Sequence, residues 1–287
     1  MSPSPGSHAS PITVHDRIHV RLLSMGSVLL PPHSWIYNNV RGSYWRLYVN
    51  AGPGAVVWSA GIEYPIPPHH AFVIPAWVKY DSRNEREVHH LCFHFDIVGL
   101  TGPLVRQWFD RPVSLSDDPL TRRHVRHVRG LLNAGRSDDI VTAFAAKSLV
   151  DLSVARLFQI LEEEQPKGGA FDVRLLRRQL TDLTPVLPAL RRIDDNFAKP
   201  ALNTELADLC GMSEDHFIRL FRKHVGQTPA RYALERRITY AAERLAFGDD
   251  SLKQVSAQAG FKNRYHFTRA FARIIGEPPA HYRQRGH

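Results

Sequence analysis

The chain has 287 residues, 43% of them hydrophobic, a formal net charge of +9 and two cysteines. That length suits two domains, the charge favours a polyanionic partner such as nucleic acid, and Cys92 and Cys210 are too few for a disulfide framework. Met1-Ser2-Pro3-Ser4-Pro5-Gly6-Ser7 has neither a basic start nor an apolar core, and no apolar run reaches the ~20 residues of a membrane helix, so no signal peptide and no membrane span are expected and the cytoplasm is the expected location.

In chain order, residues 1–17 read as a disordered arm. Residues 18–100 read as mainly strand, with candidates at 45–49, 55–59, 71–74 and 89–95. Turn signals separate them at 50–54 (Asn-Ala-Gly-Pro-Gly), 65–68 (Pro-Ile-Pro-Pro) and 81–84 (Asp-Ser-Arg-Asn). Short strands at this spacing predict a small sandwich or barrel. Residues 101–165 turn helical. Asp118-Pro119 opens one helix to Leu132, and Asp138/Asp139 opens a second to about Glu164, with Ile140, Phe144, Leu149, Leu152, Ala155, Leu157 and Ile160 as its apolar face. Pro166-Lys167-Gly168-Gly169 marks a linker over 166–183.

Residues 184–287 read as all helix. Thr184-Pro185 starts a helix through Leu187, Leu190, Ile193 and Phe197. Asn203 or Thr204 caps the next, which ends at Gly211; Ser213 caps a third, ending near Gly226. Pro229 begins a long fourth helix that Gly248 stops, with Leu234, Ile238, Ala241 and Leu245 as its core face. Ser251 with Gln254 forms a capping box for a fifth, and Asn263 caps a sixth.

This region repeats itself about 50 residues apart. Phe217, Arg219, Phe221, Gly226, Pro229 and Tyr232 recur as Phe267, Arg269, Phe271, Gly276, Pro279 and Tyr282. Each copy is a short helix, a turn with a glycine (Gly211, Gly260) and a second helix. Two helices that cross steeply need a small residue where the backbone bends. Leu206, Phe217 and Phe221 in copy one, and Val255, Phe267 and Phe271 in copy two, are expected to bury between the helices. The face left free carries Glu214, Asp215, Ile218, Arg219 and Arg222 in copy one. In copy two it carries Arg264, Tyr265, His266, Thr268, Arg269 and Arg273. Such a helix enters the major groove by its N-terminal part, and arginine is suited to bidentate contact with guanine. The fourth helix, 229–247, spans roughly 28 Å, so one chain can present two reading helices to grooves about one DNA turn apart. Basicity alone argues little, since residues 181–287 carry +5 and residues 1–180 carry +4.

Residues 184–285, above all GFKNRYHFTRAFARIIGEPPAHYR, closely resemble the AraC/XylS family of bacterial transcription regulators. The resemblance implies two helix-turn-helix units joined by a long helix. It implies base-contacting roles for Asp215, Ile218 and Arg219 in the first unit, and for Arg264, Tyr265, His266, Thr268 and Arg269 in the second. Ser256 departs from the family's usual alanine. Glu214 and Asp215 suit the positive end of the helix dipole but repel phosphate; either can accept from cytosine N4, and stabilising the helix start is the favoured role. The resemblance also implies a cupin-like β-barrel or sandwich at residues 18–100, and a helical dimerisation segment at 101–165. The fold class expected is therefore α+β.

In the N-terminal half two candidate sites stand side by side. An aromatic set, Trp35, Tyr37, Trp45, Tyr48, Trp58, Tyr64, Trp77 and Tyr80, is the candidate ligand wall; of it Trp35, Tyr37, Trp45, Tyr48 and Trp58, with Arg46 and His70 as polar partners, are the expected effector pocket, and a carbohydrate fits such a set because sugar faces stack on aromatic rings. Alternation also puts His90, Cys92 and His94 on one strand face. These are zinc-ligand types, but same-face neighbours lie ~7 Å apart, so a polar pocket wall is favoured over a metal site. No Walker loop, GxGxxG or Ser/His/Asp spacing supports catalysis, and no enzyme activity, cofactor or metal is expected. The expected partners are double-stranded DNA, a small-molecule effector such as a sugar, RNA polymerase and a second copy of the chain. The competing readings are a metal-dependent cupin-type enzyme with a DNA-binding appendage, and a regulator that needs no ligand.

Overall fold

The structure, a computed structural model, describes residues 18–100, 102–115, 117–164 and 183–285. The expected arm at 1–17, and the expected linker at 166–183 apart from its last residue, lie outside the described residues. The fold is α+β. Among the described residues, nine strands, β1 (His19–Leu30), β2 (Tyr37–Val40), β3 (Trp45–Asn50), β4 (Ala55–Ser59), β5 (Ile62–Pro65), β6 (Ala71–Ile74), β7 (Tyr80–Asn84), β8 (Val88–Val98) and β9 (Val113–Ser114), form two antiparallel sheets ordered β1-β8-β3-β6-β9 and β2-β7-β4-β5. They make an open sandwich. The barrel alternative does not hold, because among the described residues neither sheet closes on itself or on the other.

Burial follows the pleat. All six residues of β3 are buried because both faces of its sheet are covered. Trp45, Leu47 and Val49 face a core shared with helices, whereas Tyr48 joins Val57, Phe72, Ile74 and Tyr80 between the sheets. The four strands read from sequence appear, extended at one end or both in β3 and β8. The turn expected at 81–84 is wrong. Tyr80, Ser82 and Asn84 of β7 are buried while Asp81 and Arg83 are exposed, and Asn84 accepts from the Trp35 amide at 2.8 Å and donates to the Pro31 carbonyl at 2.6 Å. Pairing to β2 and β4 overrides the turn preference of these polar residues.

Three helices cover the outer face of the larger sheet: α1 (Gly102–Trp108), α2 (Pro119–Asn133) and α3 (Ile140–Glu164). Asp118 caps α2 by accepting from the Thr121 amide at 2.9 Å. The apolar face expected for α3 needs correction. Ala146, Leu149, Val150, Val154, Leu157 and Leu161 are buried, while Ile140 and Phe144 stand exposed at 69% and 66%. The helix is apolar on two sides, and only one packs inward.

A 3-10 turn (Thr184–Val186) leads into α4 (Leu187–Asp195), α5 (Asn203–Leu209), α6 (Glu214–Val225), α7 (Pro229–Phe247), α8 (Leu252–Gln258), α9 (Arg264–Ile275) and α10 (Pro279–Arg285). The capping box at Ser251/Gln254 is present, and Gly226 and Gly276 end α6 and α9 in the left-handed conformation. Helix α7 rests against the β-domain. Tyr44 enters the core that Ile238, Leu245, Phe267 and Phe271 form, Arg21 of β1 meets Glu243 at 2.9 Å, and Asp96 of β8 meets Arg21 at 3.3 Å and Arg236 at 3.4 Å. Among the described residues no helix is long and apolar enough to cross a membrane.

Candidate nucleic-acid interface and ligand cavity

The two repeats fold alike down to ring geometry. Phe217 and Phe221 meet edge to face at 5.5 Å, and Phe267 and Phe271 at 5.7 Å; Tyr232 meets Phe221 at 6.0 Å and Tyr282 meets Phe271 at 5.4 Å. All four phenylalanines are fully buried, with Leu206 and Val255 beside them. The turns require glycine, with φ of +66° at Gly211 and +79° at Gly260. Pro229 and Pro279 open the helices that follow each unit, where a missing N–H costs nothing.

Burying the phenylalanine stripe turns the opposite faces of α6 and α9 to solvent. Asp215, Arg219 and Arg222 are exposed and Ile218 is half-buried; Arg264, Tyr265, His266, Arg269 and Arg273 are exposed and Thr268 is half-buried. Asn263 caps α9 by accepting from the Tyr265 amide at 2.8 Å, which fixes where this face begins. The Arg269 guanidinium lies 5.6 Å from the centre of the Tyr265 ring.

Three of the four arginines of the connecting helix behave differently. Arg231 meets Glu235 at 3.4 Å, Arg236 meets Asp194 at 2.8 Å, and Arg244 pairs with Asp250. Tyr232 donates to Asp194 at 3.0 Å. Those charges lock α7 to its neighbours and to the β-domain. Among the described residues none of Arg219, Arg222, Arg264, Arg269 and Arg273 makes an ion pair.

A cavity of about 170 Å³ lies in the sandwich on its inner face. Of the seven residues expected at an effector pocket, Trp35, Tyr37, Arg46 and Tyr48 line it together. The other three lie elsewhere. Trp45 is the outward neighbour of Arg46 on β3 and stacks on Phe95 in the helix-side core. Trp58 lines an open cleft on the second sheet, where its indole donates to Glu63 at 3.2 Å under the Arg83 guanidinium. His70 follows the Pro67-Pro68 turn and is absent from the lining. His90, Cys92 and His94 all line the cavity, as alternation along β8 requires. His90 Nδ1 lies 2.8 Å from Asn50 Oδ1 and His94 Nδ1 lies 2.8 Å from Ser24 Oγ. Burial, with Arg129 nearby, lowers the His90 pKa to about 4, and burial beside Arg46 holds His94 well below its ordinary range, so both rings are neutral. Among the described residues no group of three or more His, Cys, Asp or Glu is placed to hold a metal ion.

Sequence reasoning missed Tyr44, held Tyr80 only among the wider aromatic candidates, and missed that Ala246 of α7 and Tyr282 of α10 close the cavity from the helical side. Alternation along β3 and β8 flags the strand residues. No local signal reaches the two helical ones, because they arrive from 150 or more residues away.

The family described as "Helix-turn-helix domain" matches residues 206–285. The MmsAB operon regulatory protein of Pseudomonas aeruginosa is 35% identical over 80 residues, which is 28% of this chain and 26% of that protein. The chain thus spans about a quarter of that relative's length. RafR, the raffinose operon transcriptional regulatory protein of Pediococcus pentosaceus, is 21% identical over 268 residues, covering 89% of this chain and 90% of RafR. A solved structure of ToxT from Vibrio cholerae O395 has the same fold, with a TM-score of 0.51 at 11% identity over 94% of this chain and all of ToxT. The family match falls on the repeated residues themselves, and it makes residues 206–285 a helix-turn-helix domain of the AraC type.

Proposed function

We propose that this chain is a sequence-specific transcription regulator in which α6 and α9 read consecutive major-groove segments and the β-sandwich binds a small-molecule effector. The observation that carries the DNA reading is the contrast among arginines. Three of the four on α7 meet acids and the fourth, Arg237, donates to the Phe197 carbonyl, while five on the free faces of α6 and α9 have no acid partner among the described residues. Uncompensated guanidinium groups beside exposed Tyr265 and His266 suit phosphate and base edges. In this reading Asp215, Ile218, Arg219, Arg264, Tyr265, His266, Thr268 and Arg269 meet bases, and Arg222 and Arg273 meet phosphate or bases further along each helix.

The functional units are 18–100 for effector binding, 101–165 for assembly and 184–287 for DNA. The exposed Ile140, Val141 and Phe144 on α3 form the face of a homodimer, and RNA polymerase is the protein partner on promoter DNA. The carbohydrate expectation keeps only Trp35, Tyr37, Arg46 and Tyr48 of its set at the cavity.

Selection of bound DNA from a random pool tests the reading. The expected product is a bipartite site whose two elements lie about 10 base pairs apart. Binding that falls with salt yet enriches no sequence would overturn it.

A further inference from the structure

We propose that the sandwich cavity takes a small, flat carboxylate of about one ring, held by its charge on Arg46; this rests on the reading of the β-domain as an effector domain. Arg46 lies on β3 and is 2% exposed. Its guanidinium sits 4.3 Å from the Tyr44 ring centre and 5.2 Å from that of Tyr80, and it donates to the Tyr44 carbonyl at 3.2 Å. Among the described residues it makes no ion pair, and no Asp or Glu lines the cavity. The contrast with Arg236 is direct, since that half-buried guanidinium meets both Asp194 and Asp96. A buried cation is tolerated when it is paired, and aromatic faces offset only part of its desolvation. Arg46 is therefore a buried cation whose counter-charge is supplied from outside the chain.

The surroundings select the ligand further. The two histidines of the wall are neutral, so Arg46 is the one fixed charge that an entering molecule meets there. A planar guanidinium matches a planar carboxylate with two parallel hydrogen bonds. The remaining wall is largely aromatic and aliphatic, with Trp35 and Tyr48 edge to face at 5.4 Å. About 170 Å³ is room for one six-membered ring with a short substituent, given that a cavity near 150 Å³ admits benzene. A free hexose would bring five hydroxyls to a wall too apolar to satisfy them, and a trisaccharide exceeds the space. Because Ala246 and Tyr282 close the cavity, the occupant touches both the sandwich and the helices that carry the second helix-turn-helix unit. Occupancy therefore bears directly on how α7 and α10 sit.

Calorimetry and thermal shift on the full chain test this with benzoate and phenylacetate, their uncharged amides benzamide and phenylacetamide, and the sugars arabinose and glucose. The acids are expected to bind roughly ten- to a hundredfold more tightly than their amides. Arg46→Gln should remove that preference, and Arg46→Lys should keep part of it. Ala246→Leu, which fills the cavity from α7 and leaves Arg46 intact, should block both acids and amides. Equal binding of acid and amide, or acid binding unchanged in Arg46→Gln, overturns the proposal. A melting shift with sugars alone overturns the carboxylate assignment and leaves the effector reading standing. No shift with any acid, amide or sugar overturns both.

Discussion

Arg269 is exposed, rests beside Tyr265 and lacks an acid partner, so its charge is available to a ligand. If it reads a guanine, Arg269→Ala costs about 1–3 kcal/mol at one base position and relaxes specificity there. Competition binding against single-base operator variants measures this; an equal loss on every sequence would instead mark a phosphate contact. Glu243 makes the opposite case, a charge turned inward. Burial pushes its carboxyl up to about 7, Asp96 adds to the rise, and Arg21 and Arg236 offset only part of it. The folded state therefore holds this proton more tightly than the unfolded chain does. The stability so gained is complete below the unfolded value near 4.5 and is lost as the pH rises through about 7. Glu243→Gln keeps the neutral form at every pH. It is expected to melt above the wild type at pH 8 and to converge with it as the pH falls toward 4.5. A variant that melts lower at pH 8 would show that the 2.9 Å pair with Arg21 outweighs desolvation.

Among the elements, the two turn glycines look equivalent in sequence and are not equivalent in space. A Cβ at Gly211 meets nothing within 4 Å, so Gly211→Ala carries only the left-handed backbone penalty, about 1 kcal/mol. A Cβ at Gly260 would stand 2.0 Å from the Ala198 carbonyl oxygen, which is backbone and cannot rotate away. Gly260→Ala is expected to cost about 3 kcal/mol or more, and urea denaturation of both variants separates the cases. The loop before α5 packs on the second turn, a contact that no repeat pattern reveals. Helix positions were largely legible, since Asp118, Ser251 and Asn263 cap the helices by local chemistry. Strand β7 was not. Its Asp-Ser-Arg-Asn run favours a turn in isolation, and neighbouring strands hold it extended.

For the whole molecule, the proposed homodimer rests on α3. Its exposed Ile140, Val141 and Phe144 leave an apolar face that a second copy would cover. Phe144→Glu is expected to shift the chain from dimer to monomer in analytical ultracentrifugation while leaving its melting temperature at low concentration unchanged. A wild type that is already monomeric at micromolar concentration counts against the homodimer. The other molecular feature is the docking of α7, through Tyr44 and the Arg21, Asp96, Arg236 and Glu243 network, onto the sandwich.

The repeat of phenylalanines, arginines and glycines determined the helical half by itself, because helical periodicity, capping and turn chemistry act within a few residues of one another. It also fixed which arginines face solvent, since burying Phe217 and Phe267 leaves Arg219 and Arg269 on the other side. Only the tertiary structure decided the cavity. Trp45 and Arg46 are neighbours in the chain yet point to opposite sides of a sheet whose two faces are both buried, so composition cannot tell the core face from the lined one. Ala246 and Tyr282 reach that cavity through contacts between distant segments, which local sequence does not encode.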